Sequence, residues 1–254
     1  MNRMMRRFLR SCNLYDAVVD VKHYIAGTER EYATFYSKFV SKGDLCFDIG
    51  ANVGRRTQVL LRLGTTVVAV EPQDHCMDRL KRRFKNKDGV VLVKKAMGAQ
   101  QGHAEMMICD SHSLSSISKN WVSSVQASGR YSVCSWDKTI TVPMVTLDSL
   151  ISEYGKPTFA KIDVEGYEDE VFKGLTQPIN TICFEFTPEY IHSAINSVTH
   201  LSELGDVRFN YCLEHSPTEF GLTEWAESKQ MSEMFTTLAQ QKQPGDIYCR
   251  FSTP

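Results

Sequence analysis

Asp48-Ile-Gly-Ala-Asn-Val-Gly54, running straight out of the apolar stretch Leu45-Cys46-Phe47, places an acid and a glycine-rich turn at the end of a predicted strand. In open α/β sheets, strand ends of this kind bind nucleotide-like ligands. Gly50 and Gly54 permit positive φ and close approach of a ligand to the backbone, and Asn52 tolerates the same left-handed region. A helical stretch over about 55–63 follows, then Gly64, then the β-branched run 65–70, closed by Glu71-Pro72. An acid at the end of this second strand can accept hydrogen bonds from both hydroxyls of a ribose.

A nicotinamide-binding fingerprint, G-x-G-x-x-G with an acid about twenty residues on, does not fit. Counting from Gly50, the third residue is Asn52 and the sixth is Arg55, so a bulky side chain stands where the third glycine normally lets helix and strand approach. Asp48 precedes the first glycine by two residues, where a pyrophosphate gains nothing from a carboxylate. A cofactor carrying an ammonium and a sulfonium charge does gain, and S-adenosylmethionine has both.

Four blocks in order carry a family resemblance: the glycine turn, Val-Ala-Val-Glu-Pro (68–72), Val-Thr-Leu-Asp-Ser-Leu (145–150) and Lys-Ile-Asp-Val-Glu-Gly-Tyr-Glu (161–168). Over roughly residues 43–188 the chain resembles the FkbM family of S-adenosylmethionine-dependent methyltransferases. The resemblance implies that Asp48, Gly50, Asn52 and Gly54 line the methionine and ribose end of the cofactor and that Glu71 holds the ribose hydroxyls. It also implies that Ala96 meets the adenine and that Asp163 faces the transferring methyl. After Gly54 the family commonly has an aromatic or small residue, whereas this chain has Arg55-Arg56. If Arg55 points inward, it favours an anionic acceptor.

At 254 residues the chain supports one sizeable core, so a single α/β domain with decorations is expected. A formal charge of −1 with 23% charged residues exerts no global pull on nucleic acid. Cysteines at 12, 46, 76, 109, 134, 183, 212 and 249 form no C-x-x-C pair and no His/Cys cluster at metal spacing, and read as reduced thiols of a cytoplasmic protein. No apolar run reaches membrane-span length, and the first ten residues lack the core of a signal peptide. Met1, Met4, Met5, Phe8 and Leu9 recur at helical spacing, with Arg3, Arg6, Arg7 and Arg10 elsewhere on the surface. Such a helix can lie on an anionic membrane or pack on the domain or a partner subunit, and packing is the preferred reading.

Residues 1–40 read as two helices capping the domain, the second bearing Tyr24, Tyr32, Phe35, Tyr36 and Phe39. The domain itself is expected over 41–254, opening as strand 45–49, helix 54–63, strand 66–70, helix 74–86 and strand 90–94. This alternation argues a parallel sheet with crossover helices. The basic residues around the helix over 74–86 read as a solvated face. Between about 99 and 145 the pattern changes to short segments, 102–109 and 140–145, around the polar stretch 110–118: an insertion of two strands and a flexible loop. Thr146 caps a helix with Asp148 in its first turn, read as structural. Strand 159–164, a short helix closed by Gly174, strand 181–186, helix 189–204, strand 207–213, helix 223–241 and strand 246–251 complete the count. The alternation gives an α/β fold class, and the resemblance implies a Rossmann-like class I methyltransferase sheet, mostly parallel, with 246–251 as its antiparallel last strand.

Methyl transfer to oxygen is an in-line displacement, so the acceptor must be aligned behind the methyl and an unactivated hydroxyl must lose its proton. Asp163, Glu185 and His112 are the candidate catalytic residues. Asp163 can contact the cofactor ammonium, act as base, or hold the turn through the amides of Gly166 and Tyr167. Glu165 and Glu168 stand at a helix start and read as structural, while Lys161 either reaches the sheet edge or pairs with an acid. No third carboxylate or Asn beside Asp163 and Glu185 is evident at compact spacing, so a metal-free mechanism is expected. The strand end Asp163-Val-Glu-Gly is not one that grips a flipped base. The resemblance implies an acceptor hydroxyl on a sugar, glycan or secondary metabolite rather than nucleic acid; the alternatives are a non-catalytic cofactor-binding or scaffold protein of the same fold and, behind it, an NAD-dependent oxidoreductase.

Overall fold

The computed structural model describes residues 28–252. The basic helix expected over 1–10, Cys12 and Tyr24 lie outside them. Among the described residues, ten strands form two sheets. The first strand, β1 (Leu45–Ile49), leads through the glycine turn into α2 (Arg55–Arg62), preceded in the chain by α1 (Thr28–Tyr36). Next come β2 (Thr66–Val70), α3 (Asp74–Arg83) and β3 (Val90–Val93). β4 (Ala96–Met97) follows, and the inserted segment then contributes β5 (Gly102–Ile108), a 3₁₀ turn at His112–Leu114, α4 (Lys119–Ser128) and β6 (Lys138–Val145). The chain then runs α5 (Leu147–Tyr154), β7 (Phe159–Ile162), α6 (Glu168–Phe172), β8 (Thr181–Phe186), α7 (Ile191–Glu203), β9 (Val207–Leu213), α8 (Ser228–Gln241) and β10 (Gly245–Phe251).

The main sheet has the order β3-β2-β1-β7-β8-β10-β9. Strands β3, β2, β1, β7 and β8 are parallel, and β10 inserts antiparallel between β8 and β9. The central parallel strands are apolar because helices cover both faces. On one face Leu147, Leu150, Val171, Phe172, Val198, Leu201, Phe235 and Leu238 of α5–α8 pack on Ile49, Ile162, Phe184 and Ile247. On the other, α1 lays an aromatic layer on the sheet. Tyr36 meets Phe159 at 5.3 Å between ring centroids, and Phe35 and Phe39 meet Tyr248 at 5.4 and 5.5 Å.

Sheet order reverses direction between β2 and β7, on either side of β1, and that switch point is where a crevice opens in such folds. Register makes the convergence obligatory. Ile49 aligns with Val70 on one side and Ile162 on the other, and Ile162 aligns with Phe184. The next residue of each strand, namely Gly50, Glu71, Asp163 and Glu185, therefore reaches the same edge of the sheet.

The insertion differs from a flexible loop. β4, β6 and β5 form a second, three-stranded sheet. Ser118 caps α4 by accepting from the Trp121 amide at 3.1 Å, and Trp121, fully buried, donates its indole N–H to Thr187 Oγ1 at 3.0 Å. The helix expected over 223–241 starts only at Ser228, because Ala226 exchanges two 2.8 Å backbone hydrogen bonds with Phe209 and is held extended.

Candidate functional site

A cleft of about 500 Å³ opens at the strand ends, lined by Gly50, Asn52, Glu71, Gln73, Ala96, Met106, His112, Asp163, Glu165 and Tyr167 among others. Glu71 forms its floor. The carboxylate is buried, with one oxygen accepting from the Asn52 amide at 2.9 Å and the other from the Gln73 amide at 2.8 Å. Asn52 points its amide there because it sits at φ 52, in the left-handed region. Burial pushes Glu71 up to about 7, and the two amide bonds only partly offset it. Gln73 also donates to the His112 carbonyl at 3.1 Å, and His112 lies 5.8 Å from His75 between ring centroids. His112 therefore stands at the Glu71 end of the cleft.

Glu71 and Asp163 stand two strands apart, roughly 10 Å at the usual strand spacing. Asp163 is the more open, its side chain 36% exposed. Behind it the buried Lys161 ammonium lies 3.3 Å from Asp163 Oδ2 and 3.0 Å from Asp246 Oδ1 on β10. Burial alone would lower the Lys161 pKa, but Asp163 and Asp246 outweigh it and hold the ammonium charged. The turn after Asp163 is held by Glu168, whose Oε1 accepts from the amides of Val164 at 3.1 Å and Gly166 at 3.3 Å. Asp163 is thus not needed for that task.

Glu165, at φ 56, turns its side chain into the cleft. Asp163, Glu165 and Glu185 each bring a carboxylate oxygen within 4.8 Å of the others. Burial, then Asp163 and Glu168, push Glu165 well above the carboxylate range, and burial, then Glu165 and Asp163, do the same to Glu185. Crowded carboxyls of this kind share protons, and the ionised member can take one from an acceptor. The trio also corrects a premise drawn from spacing alone. Glu165 supplies the third carboxylate that seemed missing beside Asp163 and Glu185.

Residues 48–216 match the family model described as the methyltransferase FkbM domain. The chain belongs to the FkbM methyltransferase family. It is 26% identical over 156 residues, 60% of this chain and 58% of the other, to the hexuronic acid methyltransferase AglP of Haloferax volcanii. It is 33% identical over 67 residues to the chloroplastic ribosomal RNA small subunit methyltransferase of Arabidopsis thaliana, covering 26% of this chain and 20% of that one. The match thus spans less than two thirds of the length of either relative. Among solved structures, the precorrin-6y C5,15-methyltransferase of Geobacter metallireducens is 12% identical with a TM-score of 0.44, covering 87% of this chain and 86% of that one.

Within the FkbM domain the cleft gathers Gly50, Asn52, Glu71, Ala96, His112 and Asp163. Asp48, Gly54 and Glu185 are not among its lining residues. Asp48 is buried and accepts from Thr57 Oγ1 at 2.5 Å, which ties β1 to α2. Both glycines, at φ 79 and 82, are required by the protein's own packing. A Cβ on Gly50 would lie 1.8 Å from the Asp163 carbonyl oxygen, and one on Gly54 would lie 2.6 and 2.7 Å from Phe84 and Leu80. Neither Arg55 nor Arg56 lines the cleft; the Arg56 guanidinium stacks on the Tyr32 ring at 3.5 Å, beneath α1. Asp148 accepts from the Thr176 amide at 3.1 Å and its hydroxyl at 2.7 Å, a structural tie. Sequence reasoning missed Gln73, Met106, Glu165 and Tyr167. Gln73 carried a usable signal as the residue entering α3 after Glu71-Pro72, where free amides face the strand end.

Among the described residues, no helix is long and apolar enough to cross a membrane.

Proposed function

We propose that this protein binds S-adenosylmethionine in the cleft and methylates a hydroxyl oxygen of a small-molecule or glycan acceptor. The observation that carries the reading is Glu71. Two backbone amides fix its carboxylate at the cleft wall, and each oxygen retains capacity to accept a second hydrogen bond, as from a ribose hydroxyl. Ala96, Met97, Met106 and Ile117 supply an apolar wall suited to a purine, and Asp163 offers a carboxylate to an ammonium. The donor set thus fits an adenosine-bearing amino acid. When bound, the cofactor supplies an electrophilic methyl on a sulfonium.

The chain's own residues then have three tasks. Glu71 fixes the ribose, Asp163 orients the charged end with Lys161 behind it, and Glu165, which lines the cleft with Glu185 beside it, accepts the acceptor's proton. The relative named a hexuronic acid methyltransferase supports a carbohydrate acceptor.

Calorimetry with S-adenosylmethionine and S-adenosylhomocysteine tests the cofactor, and product mass after incubation with hydroxylated sugars tests the acceptor. Glu71→Ala should weaken cofactor binding by about 1–3 kcal/mol, the scale of hydrogen bonds to a charged group. Binding of NAD with no heat from S-adenosylmethionine would overturn the reading.

A further inference from the structure

We infer that Cys109, Asp110 and Cys134 form a site for a thiophilic divalent cation, Zn²⁺ foremost, at the lip of the cleft. The three residues are scattered in sequence, and the fold collects them. Cys109 and Asp110 follow β5, and Cys134 lies in the turns after α4. Their two sulfurs and one carboxylate oxygen all lie within 4.8 Å of one another.

Three features favour an ion over a simple thiol pair. Asp110 Oδ1 stands 3.4 Å from Cys109 Sγ, and a disulfide has no use for a carboxylate there, whereas a metal uses all three groups. The Ser111 amide donates to Cys109 Sγ at 3.4 Å, the kind of outer contact that steadies a ligating thiolate. The backbone is also braced around the trio. The Asp110 amide donates to the Ser135 carbonyl at 3.1 Å, the Ser135 amide reaches Asp110 Oδ1 at 3.4 Å, and the Cys109 amide donates to Ser115 Oγ at 3.1 Å. Two thiolates select borderline-soft ions over Mg²⁺ or Ca²⁺, and three protein ligands leave one tetrahedral position for water. Binding replaces two S–H bonds by two metal–sulfur bonds, and both protons go to solvent.

The consequence lies in what the cysteines bracket. His112, Ser113, Ser115 and Ile117, all lining the cleft, fall between them, so an ion here pins that wall to the far end of α4.

Metal-free, fully reduced protein titrated with Co²⁺ should bind one equivalent with a thiolate-to-cobalt charge-transfer band in the ultraviolet, displaced by one equivalent of Zn²⁺. Cys109→Ser/Cys134→Ser should lose band and equivalent, although the other six of the eight cysteines remain. Asp110→Asn should keep the band and bind about 10-fold or more weakly, the scale at which even outer partners of metal sites act. Should the double variant fold poorly, Zn²⁺ protection of Cys134 from alkylation, mapped by mass spectrometry in the unaltered protein, reads the same site. An unchanged band in the double variant, no protection of Cys134, or a Cys109–Cys134 disulfide in freshly isolated protein would each overturn the inference. None of these readouts depends on what the cleft binds.

Discussion

At the carboxyl end of β7, the buried Lys161 ammonium contacts both Asp163 and Asp246, while the Glu168 carboxylate holds the amides of the turn that follows. This division of labour makes Asp163 testable as a functional residue. Asp163→Asn leaves Lys161 its closer partner, Asp246 at 3.0 Å, and leaves the Val164 and Gly166 amides bonded to Glu168. Melting close to wild type is expected, with turnover reduced about 10²-fold or more, the range for a positioned proton acceptor or charge-orienting group. Lost stability with a proportionate rate would instead assign Asp163 to structure. At this scale the sequence revealed which residues reach the sheet edge but not which way they turn. Glu71, Asp163 and Glu185 follow from strand length and register. Glu165 does not, because its entry into the cleft depends on a left-handed φ at a non-glycine residue, which side-chain type does not announce. Asp48 shows the converse, a strand-end acid that turns away to bond Thr57.

Elements with strong periodicity were legible to within a few residues. β1, β2, β8 and β9 occupy the residues expected of them, and the antiparallel β10 begins one residue early at Gly245. The apolar runs of β1, β2 and β8 are covered on both faces, so hydrophobicity located them, while β9 and β10 showed as alternation of apolar and polar residues. α4 was not legible. Its ten residues, Lys-Asn-Trp-Val-Ser-Ser-Val-Gln-Ala-Ser, show a weak apolar stripe after a serine-rich stretch that reads as loop. The helix depends on tertiary anchoring by Trp121, Val122 and Val125, and on the indole bond to Thr187 beyond β8. Trp121→Ala should therefore cost about 3–5 kcal/mol, the range for truncating a buried large aromatic. Because Ser116, just before the helix, donates to the Glu165 carbonyl at 2.6 Å, the loss should also weaken cofactor binding. Hydrogen exchange would check this: faster exchange across 116–128 with the main sheet unchanged is the expected pattern, and uniform loosening would contradict it.

For the molecule as a whole, two buried glutamates, Glu71 and Glu168, and two half-buried ones, Glu165 and Glu185, gathered at one edge of one sheet make the stability of the fold depend on pH. Burial raises Glu71 and Glu168 from 4.5 to about 7, and it moves Glu165 and Glu185 in the same direction. A carboxyl whose pKa is higher folded than unfolded binds more protons in the native state across the intervening range. Its stabilising contribution is complete below pH 4.5 and is lost as pH rises through about 7. For Glu71 and Glu168 that contribution is up to about 3 kcal/mol each. At about 2–4 °C per kcal/mol for a chain of this size, the two together should lower thermal melts by roughly 10–20 °C between pH 5 and pH 8. Glu71→Gln and Glu168→Gln should each flatten that slope, since an amide keeps the shape and removes the titration. A ligand whose ribose hydroxyls donate to ionised Glu71 reverses the sign locally. It recovers stability above pH 7 and binds more weakly as the carboxyl protonates, approaching 10-fold per pH unit below 7. Melts of the free protein that hold steady or rise over pH 5–8 would show that these carboxyls are solvated well enough to ionise in the folded state.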